Sequence, residues 1–369
     1  MNSERKALML SAGYGRGHHA AARALAQELT ARGWSTATAD VCAATRPGAF
    51  RLTQAFYQAC TRHAPWLWGS LYQQLDSADW ARLIHTPLLA ACTRHLAALL
   101  EQEQPSLVVC TYPLFAYMLD SLSQAGAWQA PYAVVVTDAL AITRAWVQSH
   151  APLICLPDAE SMAVVQEQFA LPSERLAVTG FPVRTEFCPG EHRPVPGPGG
   201  EGLHIVYGVH APMARVVADT HALLQSYHGL QLTLVADDRA ARLQPLAQRY
   251  EGRLRICSAE QDMAPLLHSA HLYIGKAGAA SVFEAYAAEV PVIVNYALPG
   301  QEEGNLRLLL QDGAGCLASS TAELLHTLGA LLAGSAEGWQ RMREAMRAAQ
   351  RTGGAARTAD ALERRFFAA

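Results

Sequence analysis

The chain has 369 residues, a length that suits two domains of ordinary size. Hydrophobic residues make up 51% and charged residues 17%, so material for packed cores is ample. The formal net charge of −3 argues against a nucleic-acid binder held by bulk positive charge, and the eight cysteines, scattered without a C-x-x-C pair, exclude a zinc framework and a disulfide scaffold.

Those thiols read as small buried hydrophobes in a reducing cytosol. "MNSERKALML" has no apolar stretch of signal-peptide length, and no run of 18 apolar residues occurs anywhere. A cytoplasmic protein without a spanning helix is therefore expected.

In chain order, "KALMLSA" reads as a short buried strand. A glycine loop, "GYGRGHH", follows it, with Gly13, Gly15 and Gly17 at every second position. "HAAARALAQELTARG" then has helical periodicity and stops at Gly33. "WSTATADV" alternates as a second strand. Helix "LAALLEQEQ", strands "SLVVCTY", "YAVVVTD" and "PLICLP", helix "AESMAVVQEQFA" and strand "RLAVTG" continue the pattern. Strands alternating with helices imply a parallel, doubly wound sheet.

"CPGEHRPVPGPGGEG", residues 188–202, reads as an interdomain linker. A second alternation follows it: "LHIVYGV", "LQLTLVAD", "RLRICSA", "HLYIGKA" and "VPVIVNY", with helices between and a helical end from about Ser335. The expected fold class is thus α/β, with two Rossmann-like doubly wound domains facing across a cleft. Their expected limits are 1–187 and 203–349, and ligands are expected at the carboxyl ends of the strands.

Two stretches carry candidate chemistry. In the first loop, glycines let the backbone approach a ligand, and a helix N-terminus behind them favours negative charge. The spacing is neither that of a dinucleotide loop nor that of a P-loop. His18 reads either as a cap of its helix or as a functional group. In the second stretch, a strand ending at Ile274 meets a turn opened by Gly275 and Gly278. The next helix begins with small residues, Gly278, Ala279, Ala280 and Ser281, which leaves its N–H groups open to a diphosphate. Glu284, further along, suits both hydroxyls of a ribose. Gln301 and Glu302, in "ALPGQEEGN", suit sugar hydroxyls, and Asn305 is placed to cap the following helix.

The pieces "SAGYGRGHHAAARALAQEL", "VVVTD", "RLAVTGFPVR" and "GKAGAASVFEAYAAEVPVIVNYALPGQEEGN" resemble the monogalactosyldiacylglycerol synthases and bacterial diacylglycerol glucosyltransferases. These stand with the peptidoglycan N-acetylglucosaminyltransferases in glycosyltransferase family 28. The resemblance covers most of the chain in order. It implies a GT-B fold, a C-terminal helix of about 350–369 packed back on the first domain, and an inverting transfer of a hexose from a UDP-sugar to a hydroxyl. It implies neither a cofactor nor a bound metal. His18 matches the general base. Gly278 and Ala279 fall at the diphosphate, with Ala280 beside them among the expected donor-binding residues, Glu284 falls at the ribose, and Gln301 and Glu302 fall at the donor sugar. Lys276 and His210 are expected to assist the donor, and Gly15, Gly17 and Asp138 to line the acceptor side.

The acceptor is expected to be a diacylglycerol-type lipid, reached by peripheral contact with the inner face of the plasma membrane. Residues 50–100 carry Trp66, Trp68, Tyr72 and Trp80 beside Arg51, Arg62, Arg82 and Arg94, a composition that suits a bilayer interface or a helical core with a solvated face. The sequence departs from the family pattern at "KAGA" in place of K-P-G-G, and at "VYGVHAPMAR" and "VADDRAAR", which lack glycine-rich turns. A soluble metabolite or glycan acceptor, or a protein that binds a nucleotide-sugar or lipid without catalysis, are the alternative readings.

Overall fold

The computed structural model describes residues 5–188, 194–197, 200–300 and 302–368. The linker residues 189–193 and 198–199, and Gln301, lie outside the described residues, as does the side chain of Arg62. The chain forms two compact units. The first comprises residues 1–185, 299–304 and 352–369, and the second residues 186–298 and 305–351.

The first unit contains β1 (Lys6–Leu10), α1 (Gly17–Ala31), β2 (Ser35–Ala39), α2 (Val41–Thr45), α3 (Pro47–His63), α4 (Pro65–Asp76), α5 (Trp80–Leu83), α6 (Pro87–Glu103), β3 (Leu107–Cys110), α7 (Leu114–Gln124), β4 (Tyr132–Val135), α8 (Arg144–Val147), β5 (Leu153–Leu156), α9 (Ala159–Phe169) and β6 (Leu176–Val178). Its six strands lie in the order β2-β1-β3-β4-β5-β6, all parallel. Alternate residues feed two cores. Leu8, Leu10, Val108 and Cys110 pack on one face, Ala7, Met9, Leu107 and Val109 on the other. Both faces of a parallel sheet are buried, which is why these strands read as unbroken apolar runs.

The second unit follows with β7 (His204–Gly208), α10 (Met213–Ser226), β8 (Gln231–Ala236), α11 (Ala240–Arg249), β9 (Leu254–Ser258), α12 (Met263–Ser269), β10 (Leu272–Lys276), α13 (Ala279–Ala288), β11 (Val292–Tyr296), α14 (Glu303–Gln311), β12 (Gly315–Leu317) and α15 (Thr321–Ala348). Its strand order is β12-β11-β10-β7-β8-β9, again all parallel. The three-residue edge strand β12 was not anticipated. It is too short for its own periodicity to show. Helix α15 is broken at Ala333–Ala336, where Gly334 takes φ 63°.

The last helix, α16 (Gly354–Phe366), belongs to the first unit. Arg32 holds it there, donating to Asp360 at 2.6 Å and Glu363 at 2.9 Å. Thr358 and Arg357 bind Thr179 at 3.0 and 2.8 Å. A Cβ at Gly354 would lie 2.1 Å from the Phe181 carbonyl oxygen, so only glycine allows this approach.

The structure corrects three local expectations. Strand β10 runs on to Lys276, and Gly275 lies inside it, where a Cβ would meet the Tyr273 hydroxyl at 2.6 Å. Asn305 is not a cap: α14 begins at Glu303, and the Asn305 amide donates to the Ala277 carbonyl at 3.0 Å. Residues 299–304, expected within the second domain, group with the first unit. All eight cysteines are free thiols: six are buried, Cys316 is partly buried and Cys188 is exposed.

Candidate active site

Each sheet reverses its winding once, between β1 and β3 in the first unit and between β7 and β10 in the second. Strand ends at such a reversal splay their loops apart and leave room for a ligand. The loop before His18 sits at the first reversal, and His210, Lys276 and Gly278 sit at the second.

In the first unit, the loop after β1 carries Gly15 at φ 98°, a left-handed conformation open to glycine. The Gly13 N–H donates to Asp40 at 3.1 Å, which pins the loop. Gly17 starts α1, and His18 follows in its first turn, only 8% exposed. The His18 Nδ1 lies 2.9 Å from the Thr111 carbonyl oxygen and 2.8 Å from the Thr137 hydroxyl. A carbonyl only accepts, so Nδ1 carries the hydrogen and Nε2 keeps a lone pair. The ring is walled by Tyr112 and Trp146, with centroids 5.1 and 5.9 Å away. Burial, the larger effect, and His19 lower its pKa from 6.5 to about 4 against the Thr111 bond. His18 is therefore a neutral imidazole at pH 7.

Asp138 follows Thr137, three residues past the end of β4, and accepts from the Trp146 indole at 2.7 Å. Burial raises its carboxyl from 3.8 to about 6; the indole bond opposes this and the charge of Glu302 adds to it. Glu302 is itself 3% exposed. Its partner in expectation, Gln301, lies outside the described residues. Trp68 joins a chain of rings with Tyr57 and Tyr72, whereas Trp66 stands 73% exposed on α4. Leu52 and Phe56, four residues apart on α3, are also exposed, beside Arg51.

In the second unit, Lys276 ends β10 and Gly278 precedes α13. Ala279 and Ala280 form the first helical turn and Glu284 the next, half-buried. His210 lies just past β7 with its ring folded over Gly208, where a Cβ would sit 2.8 Å from the imidazole. Its Nδ1 is buried without a hydrogen-bond partner. Burial first, then the Lys276 ammonium, lowers its pKa to about 3. Arg239, from the loop after β8, lies across the loop after β7. It donates to the carbonyls of Val209 and Ala211 and to Asp237 at 3.0 Å. The Arg239 guanidinium thus ties the loop after β8 to "VYGVHAPMAR".

Sequence reasoning missed Thr111, Thr137, Trp146 and Arg239. The first two stand directly after β3 and near the end of β4, where the strand-end rule could have found them.

Residues 18–183 match the monogalactosyldiacylglycerol (MGDG) synthase family, and residues 211–362 the glycosyltransferase family 28 C-terminal domain. A processive diacylglycerol beta-glucosyltransferase of Bacillus cytotoxicus is 25% identical over 374 residues, covering 97% of this chain and 93% of the relative. The crystal structure of Acinetobacter baumannii MurG superimposes with a TM-score of 0.60 at 17% identity, covering 98% of this chain and 100% of that one. CalG4, the calicheamicin glycosyltransferase, gives 0.60 at 17% identity and 98% of both chains. The two parallel six-stranded sheets thus have the GT-B fold.

Proposed function

Starting from the chain's membership of glycosyltransferase family 28, we propose that it is an inverting hexosyltransferase that moves a sugar from UDP to a hydroxyl of a diacylglycerol-type lipid. The observation that carries the reading is the His18 arrangement. A buried neutral imidazole, with Nδ1–H committed to Thr111, offers Nε2 to a proton. In the reaction, Nε2 takes the acceptor's hydroxyl proton as that oxygen bonds to the anomeric carbon. The bond from that carbon to the phosphate oxygen breaks, and UDP leaves with the electron pair. One displacement inverts the centre.

The second unit supplies the donor groups. The N–H groups of Gly278, Ala279 and Ala280 meet the charge that develops on the diphosphate, with Lys276 as a nearby cation. Neutral His210 has a buried nitrogen to offer the same oxygens. Glu284 holds the ribose hydroxyls. Glu302 and Gln301 are assigned to the hexose.

The lipid acceptor is supported by the exposed Leu52, Phe56 and Trp66 beside Arg51, a mixture that suits the headgroup boundary of a bilayer. The proposed contact is peripheral; no helix among the described residues is long and apolar enough to cross a membrane. The test is release of UDP and formation of glycolipid from UDP-glucose or UDP-galactose with diacylglycerol vesicles. His18→Ala should lower turnover by about a hundredfold to ten-thousandfold. Unchanged turnover in that variant, or UDP release without lipid product, would overturn the assignment.

A further inference from the structure

Three segments of the first unit pack closely around one polar cluster. Arg144, at the start of α8, donates its backbone N–H to Asp76 at the end of α4, at 2.6 Å. A Cβ on Gly304 would lie 1.8 Å from the Ala139 carbonyl oxygen, and one on Gly300 would lie 3.0 Å from the Tyr72 ring. The end of α4, the stretch from Ala139 to Arg144, and Gly300 and Gly304 thus lie close together.

Within this packing the Tyr72 hydroxyl is buried and makes no hydrogen bond of proper geometry. Asp138, Asp76 and Thr143 are its polar neighbours. Asp138 has one oxygen on the Trp146 indole, the one hydrogen bond the described residues give its side chain. Glu302 is buried near enough to Asp138 to repel it. An unpaired buried phenol costs about 1–3 kcal/mol, and Asp138 beside it commits only one oxygen to a described hydrogen bond. Such groups persist where a ligand completes them.

What completes them is set by their chemistry. Carboxylates accept from hydroxyls, while a phenol both donates and accepts. The rings of Tyr57, Trp68 and Tyr72, with successive centroids 4.7 and 6.3 Å apart, add an apolar wall. Neighbouring hydroxyls on a ring with an apolar face match this set. We infer that Tyr72, Asp138 and Glu302 form one hydroxyl-binding site that holds a pyranose, with Tyr72 and Asp138 as specificity-determining residues. The inference rests on the proposed transferase reading for its ligand class. The pyranose has two sources: the hexose of the donor, or a sugar already carried by the acceptor.

The experiment measures equilibrium binding of UDP, of UDP-glucose and UDP-galactose, and of octyl β-glucoside below its micelle concentration. The full chain is compared with Tyr72→Phe and Asp138→Asn, both near-isosteric, with melting curves to show that each variant folds. At least one sugar-bearing probe should lose fivefold or more in affinity in both variants, while UDP stays within twofold. Loss on the UDP-sugar alone identifies the donor hexose as the occupant, and loss on the glucoside alone the acceptor sugar. Sugar probes within twofold of the parent in both variants, or UDP weakened equally, would overturn the site. A parent that binds no UDP overturns the transferase reading instead; the glucoside arm then decides the hydroxyl site alone, where no glucoside binding, or binding indifferent to both variants, overturns it.

Discussion

The His18 Nδ1 sits 2.9 Å from the Thr111 carbonyl oxygen. That contact joins the first turn of α1 to the end of β3 across the reversal of the first sheet. It fixes the imidazole tautomer with a backbone group that no side-chain substitution removes. No carboxylate bonds this nitrogen among the described residues, so an imidazolium formed in the proposed proton transfer would be held by neutral acceptors alone.

The acid side of the rate profile follows. Protonation of His18 removes the base, and burial puts this near pH 4 instead of 6.5. A kcat/KM profile should keep a falling limb near pH 4. Folding stability moves the same way. The folded pKa lies below the unfolded one, so stability present above about pH 6.5 is lost as pH falls through 4. The loss is roughly 3 kcal/mol at about 1.4 kcal/mol per pH unit. Denaturant titrations of the parent and of His18→Gln between pH 7 and 4 check this; the variant should lose less.

Thr137 shares the Nδ1 hydrogen at 2.8 Å and acts as a positioning residue. Thr137→Val removes one of the two acceptors that stabilise the imidazolium. It should cost about 1 kcal/mol, or roughly five- to tenfold in kcat, and push the low-pH limb lower still. Thr137→Ser should restore both. A purely structural role would lower stability without moving the limb.

Asp138 gives a second inflection. Burial and Glu302 raise its carboxyl to about 6 despite the Trp146 bond. Sugar affinity that depends on its ionised form should weaken below pH 6. Asp138→Asn should abolish that step and leave the His18 limb in place. Glu302→Gln removes a negative charge and should shift the step downward. Binding titrations from pH 5 to 8 in the three proteins read it directly.

Gly304→Ala tests the packing of residues 299–304. Its Cβ would fall 1.8 Å from the Ala139 carbonyl oxygen and 2.6 Å from the Ala141 nitrogen, both backbone atoms that cannot rotate away. The substitution should cost about 2–4 kcal/mol in a denaturant melt. Gly48→Ala, a helical glycine with nothing within 4 Å of an added Cβ, should be neutral or slightly stabilising.

Much of this was legible from the residues. The strands of both sheets announced themselves as apolar runs because both faces are buried. Gly33, at φ 85°, ends α1 as its position suggested. His18 and Glu284 stood out as candidates because loop glycines and small helix-start residues are local signals. Tyr72 was read only as one aromatic of a bilayer interface or helical core, and Thr111, Thr137 and Arg239 were not assigned a site role. Their place depends on contacts between segments far apart in the chain, such as the 93 positions between His18 and Thr111. Asn305 failed for the same reason: its amide goes to Ala277, 28 residues earlier.

The most direct test of the central claim is a calorimetric titration of the purified protein with UDP, UDP-glucose, UDP-galactose and UDP-N-acetylglucosamine, repeated with Glu284→Ala. Saturable binding of UDP and of at least one UDP-sugar, weakened about tenfold or more in the variant, is the predicted result. No binding to any of the four, or binding indifferent to Glu284, would contradict the assignment of a UDP-sugar donor to the second unit.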